Sequence, residues 1–252
     1  MLNLNNVGRK LAKIVGGKFD GKYVSVFTEG SADGIKHPFN NFVLDEGKFE
    51  AVPDDKTERV IAYVSGPSGS GKSYWCSQFI KKYLKQHPQS DIILFSAVNE
   101  DEALDKFKNL KRVRIDENLV DDPIQPEDLA DSLVIMDDID SIGNKRIREA
   151  VYSILNRIAQ EGRHHRTSLL VTNHLPTGGR DTRMILNESH IVVVFLASGS
   201  ARGNKYLLQN YVGLSKYDIE KCKMEKSRAT VIFKNYPQVC MSDKRIWVLS
   251  ED

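Results

Sequence analysis

Hydrophobic and polar residues alternate along this chain in two regimes. Up to about residue 57 the apolar stretches are short and alternating, as in "KYVSVF" (22–27) and "NFVL" (41–44), with Gly, Asn and Asp between them. Brief β-like runs broken by turn residues predict a small sheet or β extension. "AVPDDKTER" (51–59) reads as the connection into the main domain. From Arg59 the runs become continuous: "RVIAYVS", a helical pattern, "DIILFSAV", a helix, "KRVRI", a loop, "SLVIM", a long helix, "TSLLVT", a helix, and "HIVVVFLA". Strands that are apolar at every position, separated by helices, imply a mainly parallel sheet covered by helices on both faces, an α/β fold. In the long helix after Gly143, the residues Ile147, Val151, Ile154, Leu155 and Ile158 form one apolar stripe. Lys145, Arg146, Arg148 and Arg157 lie mostly off it; a solvated face is the simpler reading and a DNA track the alternative. The end, "SRATVIFKNYPQVCMSDKRIWVLSED", predicts two short strands around a turn. The division expected is a β-rich segment, 1–57, followed by an α/β domain, 58–252.

Composition narrows the class without fixing it. The 252 residues are 40% hydrophobic and 28% charged, as in a water-soluble globular protein. The 36 Lys and Arg nearly cancel 34 Asp and Glu, and so weak a balance neither demands nor excludes nucleic acid. Cys76, Cys222 and Cys240 are sparse and odd in number, which suggests reduced thiols in a cytosol-like compartment. The longest apolar run, "IVVVFLA", is too short to span a bilayer, and the N-terminus shows no secretory h-region. A soluble, intracellular protein with no transmembrane segment is expected.

Candidate chemistry is concentrated in "GPSGSGKS". Gly66, Pro67, Ser68, Gly69, Ser70, Gly71, Lys72 and Ser73 satisfy G-x-x-x-x-G-K-[ST], between an apolar strand and an amphipathic helix. Small residues let backbone N–H groups close around phosphate oxygens, and the helix directs its positive end at them. Lys72 would reach the β- and γ-phosphates, and the Ser73 hydroxyl would ligate Mg²⁺. About 65 residues further on, "SLVIMDDIDS" ends an apolar strand in Asp137 and Asp138. The first acid at such a strand end can hold the metal; the second can polarise an attacking water. No N-K-x-D motif occurs, which favours ATP over GTP.

"EGRHHRTSLLVTNHL" (161–175) brackets the next strand with a basic run and a polar end. Asn173, at the C-terminal end of that strand, is the expected γ-phosphate sensor. Arg163 or Arg166, at the opposite end, could serve only a neighbouring subunit's ATP. His164 and His165 read as helix-end cations.

Together "GPSGSGKS", "LVIMDDIDS", "GRHHRTSLLVTNH" and "KYLLQNYVGLSKYDIEK" resemble the viral genome-packaging ATPases of the FtsK–HerA superfamily, in the branch of poxviruses, other large eukaryotic DNA viruses and virophage-like elements. The resemblance runs from about residue 58 to 236. It implies a P-loop NTPase working as a homo-oligomeric ring that drives double-stranded DNA into a capsid, with ATP and Mg²⁺ as cofactors. Host cytoplasm at sites of virus assembly is the implied location, and capsid or virion membrane components are the implied partners. The resemblance assigns Lys72 and Ser73 to the P-loop pair, Asp137 to the metal, Asp138 to the catalytic acid and Arg163 to the arginine acting in trans. Asp138 and Asn173 each stand one methylene short of the Glu and Gln usual in the wider superfamily. Two other functions fit the same motifs: a helicase loader or transposition helper, and a nucleotide-gated scaffold that hydrolyses little ATP. "NKRIR" (144–148) and "KCKMEKSR" (221–228) are the candidate DNA contacts, with plain surface as the alternative for each.

Overall fold

The computed structural model describes residues 1–28, 35 and 37–249. Two compact units form, one from residues 58–189 and one from 1–57 together with 190–252. The sequence-based division places 190–252 with the α/β domain. Here these residues instead group with the N-terminal segment, to which β14 (Arg245–Val248) is joined by pairing with β4 (Asn41–Val43).

In the 58–189 unit, β6 (Ile61–Ser65), β7 (Ile92–Ser96), β8 (Leu110–Arg114), β9 (Leu133–Asp137) and β10 (Ser168–Asn173) lie in the order β6-β10-β9-β7-β8, all parallel. Every residue of β6, β7, β9 and β10 is buried. Successive strand residues face opposite sides, so complete burial means both faces are covered, and alternation is lost from the sequence for that reason. The edge strand β8 keeps exposed Lys111 and Arg114. Helices α1 (Lys72–Gln86), α2 (Asn118–Asp121), α3 (Lys145–Glu161) and α4 (Arg180–Glu188) complete the unit.

Two expected elements differ. The helix predicted between β7 and β8 is only a turn. The Asp101 carboxylate accepts from the N–H groups of Ala103 and Leu104, its carbonyl accepts from Leu104 and Asp105, and nothing propagates it. The expected loop before β9 contains α2 and a 3₁₀ turn at Pro126–Leu129.

In the other unit, β1 (Leu2–Asn3), β2 (Arg9–Val15), β3 (Tyr23–Val26) and β5 (Lys48–Ala51) form an antiparallel sheet in the order β1-β3-β2-β5. A second antiparallel array runs β4 (Asn41–Val43), β14 (Arg245–Val248), β13 (Val239–Met241), β12 (Thr230–Phe233), β11 (Ile191–Val194). The tail thus makes three strands where two are predicted. Helices α5 (Ala201–Asn210) and α6 (Lys216–Met224) pack on each other. All three cysteines are free and buried. Cys222 and Cys240, distant in sequence, stand with their sulfurs 3.3 Å apart. No helix among the described residues is long and apolar enough to cross a membrane.

Helix α3 presents its last carbonyls to an arginine. Arg59, just before β6, donates to the carbonyl oxygens of Ile158 (2.9 Å) and Ala159 (2.8 Å). A Cβ at Gly162 would stand 2.8 Å from that guanidinium and 2.4 Å from the Ile158 oxygen, so the glycine opening the basic run is required by close approach. Hydrogen bonds to charged groups contribute about 1.5–3 kcal/mol, so Arg59→Ala should lower the unfolding free energy by that order in urea denaturation. Arg163→Ala, at a side chain 77% exposed, should stay within about 0.5 kcal/mol of the parent. Equal losses for the two variants would contradict this division of roles.

Candidate nucleotide site

The loop Gly66–Gly71 joins β6 to α1. Gly71 caps α1 with φ 111°, a conformation that favours glycine, and no side chain caps the helix. The first turn of α1 holds no acidic residue, so its N–H groups keep their positive end for an outside anion. Ser70 Oγ, inside the same loop, is buried and has no hydrogen-bond partner among the described residues. Orphaned donors around a helix N-terminus are what a polyphosphate would satisfy, and on that ground the loop fits the phosphates of a nucleotide.

Lys72 carries a charge into this loop at 6% exposure. Its Nζ donates to the Gly66 carbonyl (3.0 Å) and lies 3.2 Å from Asp138 Oδ1 and 3.3 Å from His174 Nδ1. With Nδ1 accepting, the ring proton resides on Nε2, which faces Asp138 Oδ2 at 3.1 Å. The imidazole thus bridges ammonium and carboxylate.

The two adjacent acids differ in environment. Asp137 ends β9, 6% exposed, and accepts from Thr172 Oγ1 (2.8 Å) and Ser96 Oγ (3.3 Å). Burial pushes its carboxyl above the usual range; Thr172 opposes this, while the charges of Asp138 and Asp101 add to it. Asp138 sits next in the left-handed region, φ 48°, which turns its carboxylate out to the loop mouth. Thr172 Oγ1 also accepts from the Asp138 N–H (2.9 Å) and lies 3.2 Å from Asp138 Oδ1. A hydroxyl has one proton, so at any moment Thr172 serves one carboxylate, and the shorter distance favours Asp137. Asp138, Asp140 and His174 bring ligand atoms within 4.8 Å of one another beside Asp137, an acidic corner of the kind a divalent cation would occupy. The Ser73 hydroxyl, which bonds no described side chain, is a fitting companion ligand.

Strand β10 supplies both neighbours. Its order between β6 and β9 sets Thr172 beside Asp137 and ends the strand at the loop. Asn173, the expected sensor, points elsewhere: it is 1% exposed and its amide donates to Tyr63 OH (3.0 Å). Strand alternation decides this, and the residue brought to Lys72 is His174. Two backbone N–H groups, of His174 and Leu175, donate to the Asp140 carboxylate and fix the chain there. Sequence reading passes over His174 because it lies one position beyond the strand; the requirement for a side chain on Thr172's side of the strand end is the available signal.

The basic run lies at the other end of β10, about 20 Å away for six residues of strand. Arg166 (φ 50°) is engaged by Asp131 in two hydrogen bonds of 2.6 and 2.8 Å. Arg163 has only an exposed contact of 3.5 Å with Glu58, a pair that contributes little. His165 lies 3.8 Å from Glu127, and His164 is exposed.

The buried acid yields a stability prediction. Its folded pKa is raised above the unfolded value, so between the two the folded chain binds more protons and stability falls as pH rises through that window. Asp137→Asn, without nucleotide or metal, should therefore melt higher than the parent at neutral pH. The gain should vanish in acid below the unfolded carboxyl pKa. A variant no more stable than the parent at neutral pH in calorimetry would contradict the burial argument.

No family model matches the chain. Protein V3 of Sputnik virophage is 42% identical over 239 residues, 94% of each chain. Among solved structures, the cytoplasmic domain of the Thermomonospora curvata type VII secretion ATPase EccC aligns with TM-score 0.53 and 12% identity, covering 81% of this chain and 28% of that one. The genome-packaging NTPase B204 of Sulfolobus turreted icosahedral virus 2, in complex with ATP-gammaS, aligns with TM-score 0.49 and 15% identity over 74% of this chain and 98% of its own. The α/β fold is thus one shared with the EccC ATPase domain, and the chain belongs to the family of the virophage protein V3.

Proposed function

We propose that this chain is an ATP-hydrolysing motor that forms a homo-oligomeric ring and moves double-stranded DNA into a viral capsid. The observation that carries the reading is the mouth of the loop. There a buried ammonium stands 3.2 Å from a carboxylate at the end of β9, with β10 inserted between that strand and β6. An added strand between the P-loop strand and the acidic strand is the arrangement of motor-type NTPases with a catalytic carboxylate. The four motifs of the packaging family support the same direction, and the virophage source of the relative fits a viral role.

In this reading ATP lays its phosphates along Gly66–Ser73, and Lys72 exchanges Asp138 for the β- and γ-phosphate oxygens. Ser73 and Asp137 would hold Mg²⁺, which when bound offsets phosphate charge. Asp138, released from the ammonium, accepts a hydrogen bond from the attacking water and draws off its proton. His174 takes the position beside the γ-phosphate that was expected of Asn173, while Asn173 holds Tyr63. Arg163, too distant for its own site, completes that of the adjacent subunit; an arginine so supplied raises turnover by about 10³–10⁵-fold in GTPases. Capsid or virion membrane components are candidate partners for this role.

Lys72→Ala should lose ATP binding and hydrolysis together. Asp138→Asn should bind ATP at least as tightly as the parent, since the phosphates no longer compete for the ammonium, yet turn over about 10²–10⁴-fold more slowly. Parental turnover by Asp138→Asn in a phosphate-release assay would remove Asp138 from the mechanism. His174→Ala should lower kcat with little change in KM.

The trans arginine is tested by mixing. Asp138→Asn subunits keep an arginine but have a dead site, and Arg163→Ala subunits keep a site but lend no arginine. Mixed rings should exceed the activity of either variant alone. Rescue with Arg166→Ala in place of Arg163→Ala would assign the role to Arg166. No rescue with either, in assembled protein, would make the basic run structural.

A further inference from the structure

The segment from Arg202 to Arg228, in the unit that does not hold the nucleotide site, carries more positive charge than its own acids neutralise. It contains seven Lys and Arg against Asp218, Glu220 and Glu225. Each acid is already engaged. Asp218 is buried, with its carboxylate accepting from Ser215 Oγ at 2.8 Å. Glu220 pairs with Lys223 at 2.7 Å, and Glu225 with Arg245 at 2.8 Å. Lys221 lies over the Trp247 ring, 4.8 Å from its centroid. Arg202, Lys205, Lys216, Lys226 and Arg228 are all exposed, and none forms an ion pair or hydrogen bond through its side chain with any described residue.

These cations are arranged, not merely numerous. On α5 the exposed residues Arg202, Lys205, Tyr206 and Gln209 recur at i, i+3, i+4 and i+7, one stripe opposite buried Asn204, Leu207 and Leu208. Tyr206, 52% exposed, meets Tyr211 edge-on, and at the first turn of α6 Tyr217 stands 71% exposed beside Lys216. Helix α5 packs on α6, which brings the α5 stripe and the exposed first turn of α6 onto neighbouring elements. The opposite sign dominates elsewhere: residues 97–143 hold fourteen acids against five bases. The near-zero net charge therefore conceals a basic face, and such a face attracts a polyanion.

We propose that the α5–α6 surface is where this protein holds duplex DNA, through phosphate contacts from Arg202, Lys205, Lys216, Lys226 and Arg228. The proposal rests on the DNA-motor reading and adds the residues that bear the load. Duplex DNA presents a charge every ~1.7 Å, so a ten-residue helix, about 15 Å long, faces several phosphates at once. Three of the five cations are lysines, point charges on flexible stems that follow a moving backbone without reading sequence. Exposed tyrosine hydroxyls add neutral donors of the kind that contact phosphate and sugar. Because no internal ion pair must break, the whole electrostatic gain is available to the ligand. The "NKRIR" stretch is the weaker candidate, since Lys145 already faces Glu149 at 3.8 Å.

The test is fluorescence anisotropy of the full-length protein with a labelled random-sequence duplex, across a salt series. Combined Lys205→Gln, Lys216→Gln and Arg228→Gln should weaken binding by about tenfold per contact near 0.1 M salt and make the log–log salt slope shallower by about 2.7. DNA-free ATP turnover and the assembly state, read by light scattering, should match the parent. Lys205→Arg, Lys216→Arg and Arg228→Lys together should retain binding, which separates charge from folding. If the parent binds duplex and the glutamine variant binds it with the same affinity and slope, the surface is wrong and the motor reading stands. Loss instead in Lys145→Gln/Arg146→Gln, with the α5–α6 variant intact, would transfer the contact to α3. A parent that binds no duplex at any salt would overturn both the surface and the DNA-motor reading.

Discussion

A charged ammonium held almost out of water is the constraint around which this site is organised. Lys72 is fixed at the start of α1 by the loop, and at 6% exposure its charge needs compensation inside the protein. The Gly66 carbonyl, the Asp138 carboxylate and the His174 ring supply it. Removing one partner of a buried pair leaves an unpaired charge, so the three elements that carry these groups must arrive together. That requirement ties the ends of β6, β9 and β10 to one point. A polyphosphate offers the ammonium a stronger partner than a single carboxylate, and it satisfies the free N–H groups of α1 as well. The same constraint that stabilises the loop thus makes it receptive.

Two neighbouring aspartates acquire different properties from backbone geometry alone. Extended backbone keeps Asp137 in the layer, where burial raises its pKa and two hydroxyls restrain it. A single left-handed residue then swings Asp138 outward to the ammonium. Such a conformation is tolerated by Asp more readily than by branched or bulky residues. Thr172 connects the pair through one hydroxyl proton and one accepted backbone N–H, so a change at either acid is felt at the other. Asp101, on the turn after β7, adds its charge to the same corner.

Much of this is legible in the sequence because the responsible signals are local. The loop residues are adjacent, and strands buried on both faces read as unbroken apolar runs from "RVIAYVS" to "TSLLVT". What is not legible depends on parity or on distance. Whether Asn173 or His174 meets Lys72 turns on which side of β10 each falls, and "VTNH" offers polar residues on both sides. The turn at 101–107 looks helical because one capped turn has the composition of a short helix. β2 escapes notice because Arg9, Lys10 and Lys13 dilute its apolar residues, although Leu11, Ala12 and Ile14 are fully buried. The return of residues 190–252 to the N-terminal segment is a long-range pairing, as in Arg245–Val43, that no local pattern encodes. The basic surface on α5 and α6 is only a charged stretch until the structure shows which acids are already taken.

Nucleotide hydrolysis at the Lys72–Asp138 mouth, on this reading, is coupled to duplex DNA. Steady-state ATP hydrolysis by assembled protein, with Mg²⁺ and with or without double-stranded DNA, tests that coupling in one assay. Hydrolysis should be slow alone and rise several-fold on adding duplex, with the rise disappearing as salt is increased. Hydrolysis that is indifferent to DNA at every ionic strength, or no hydrolysis by fully assembled protein, would show that the coupling does not exist.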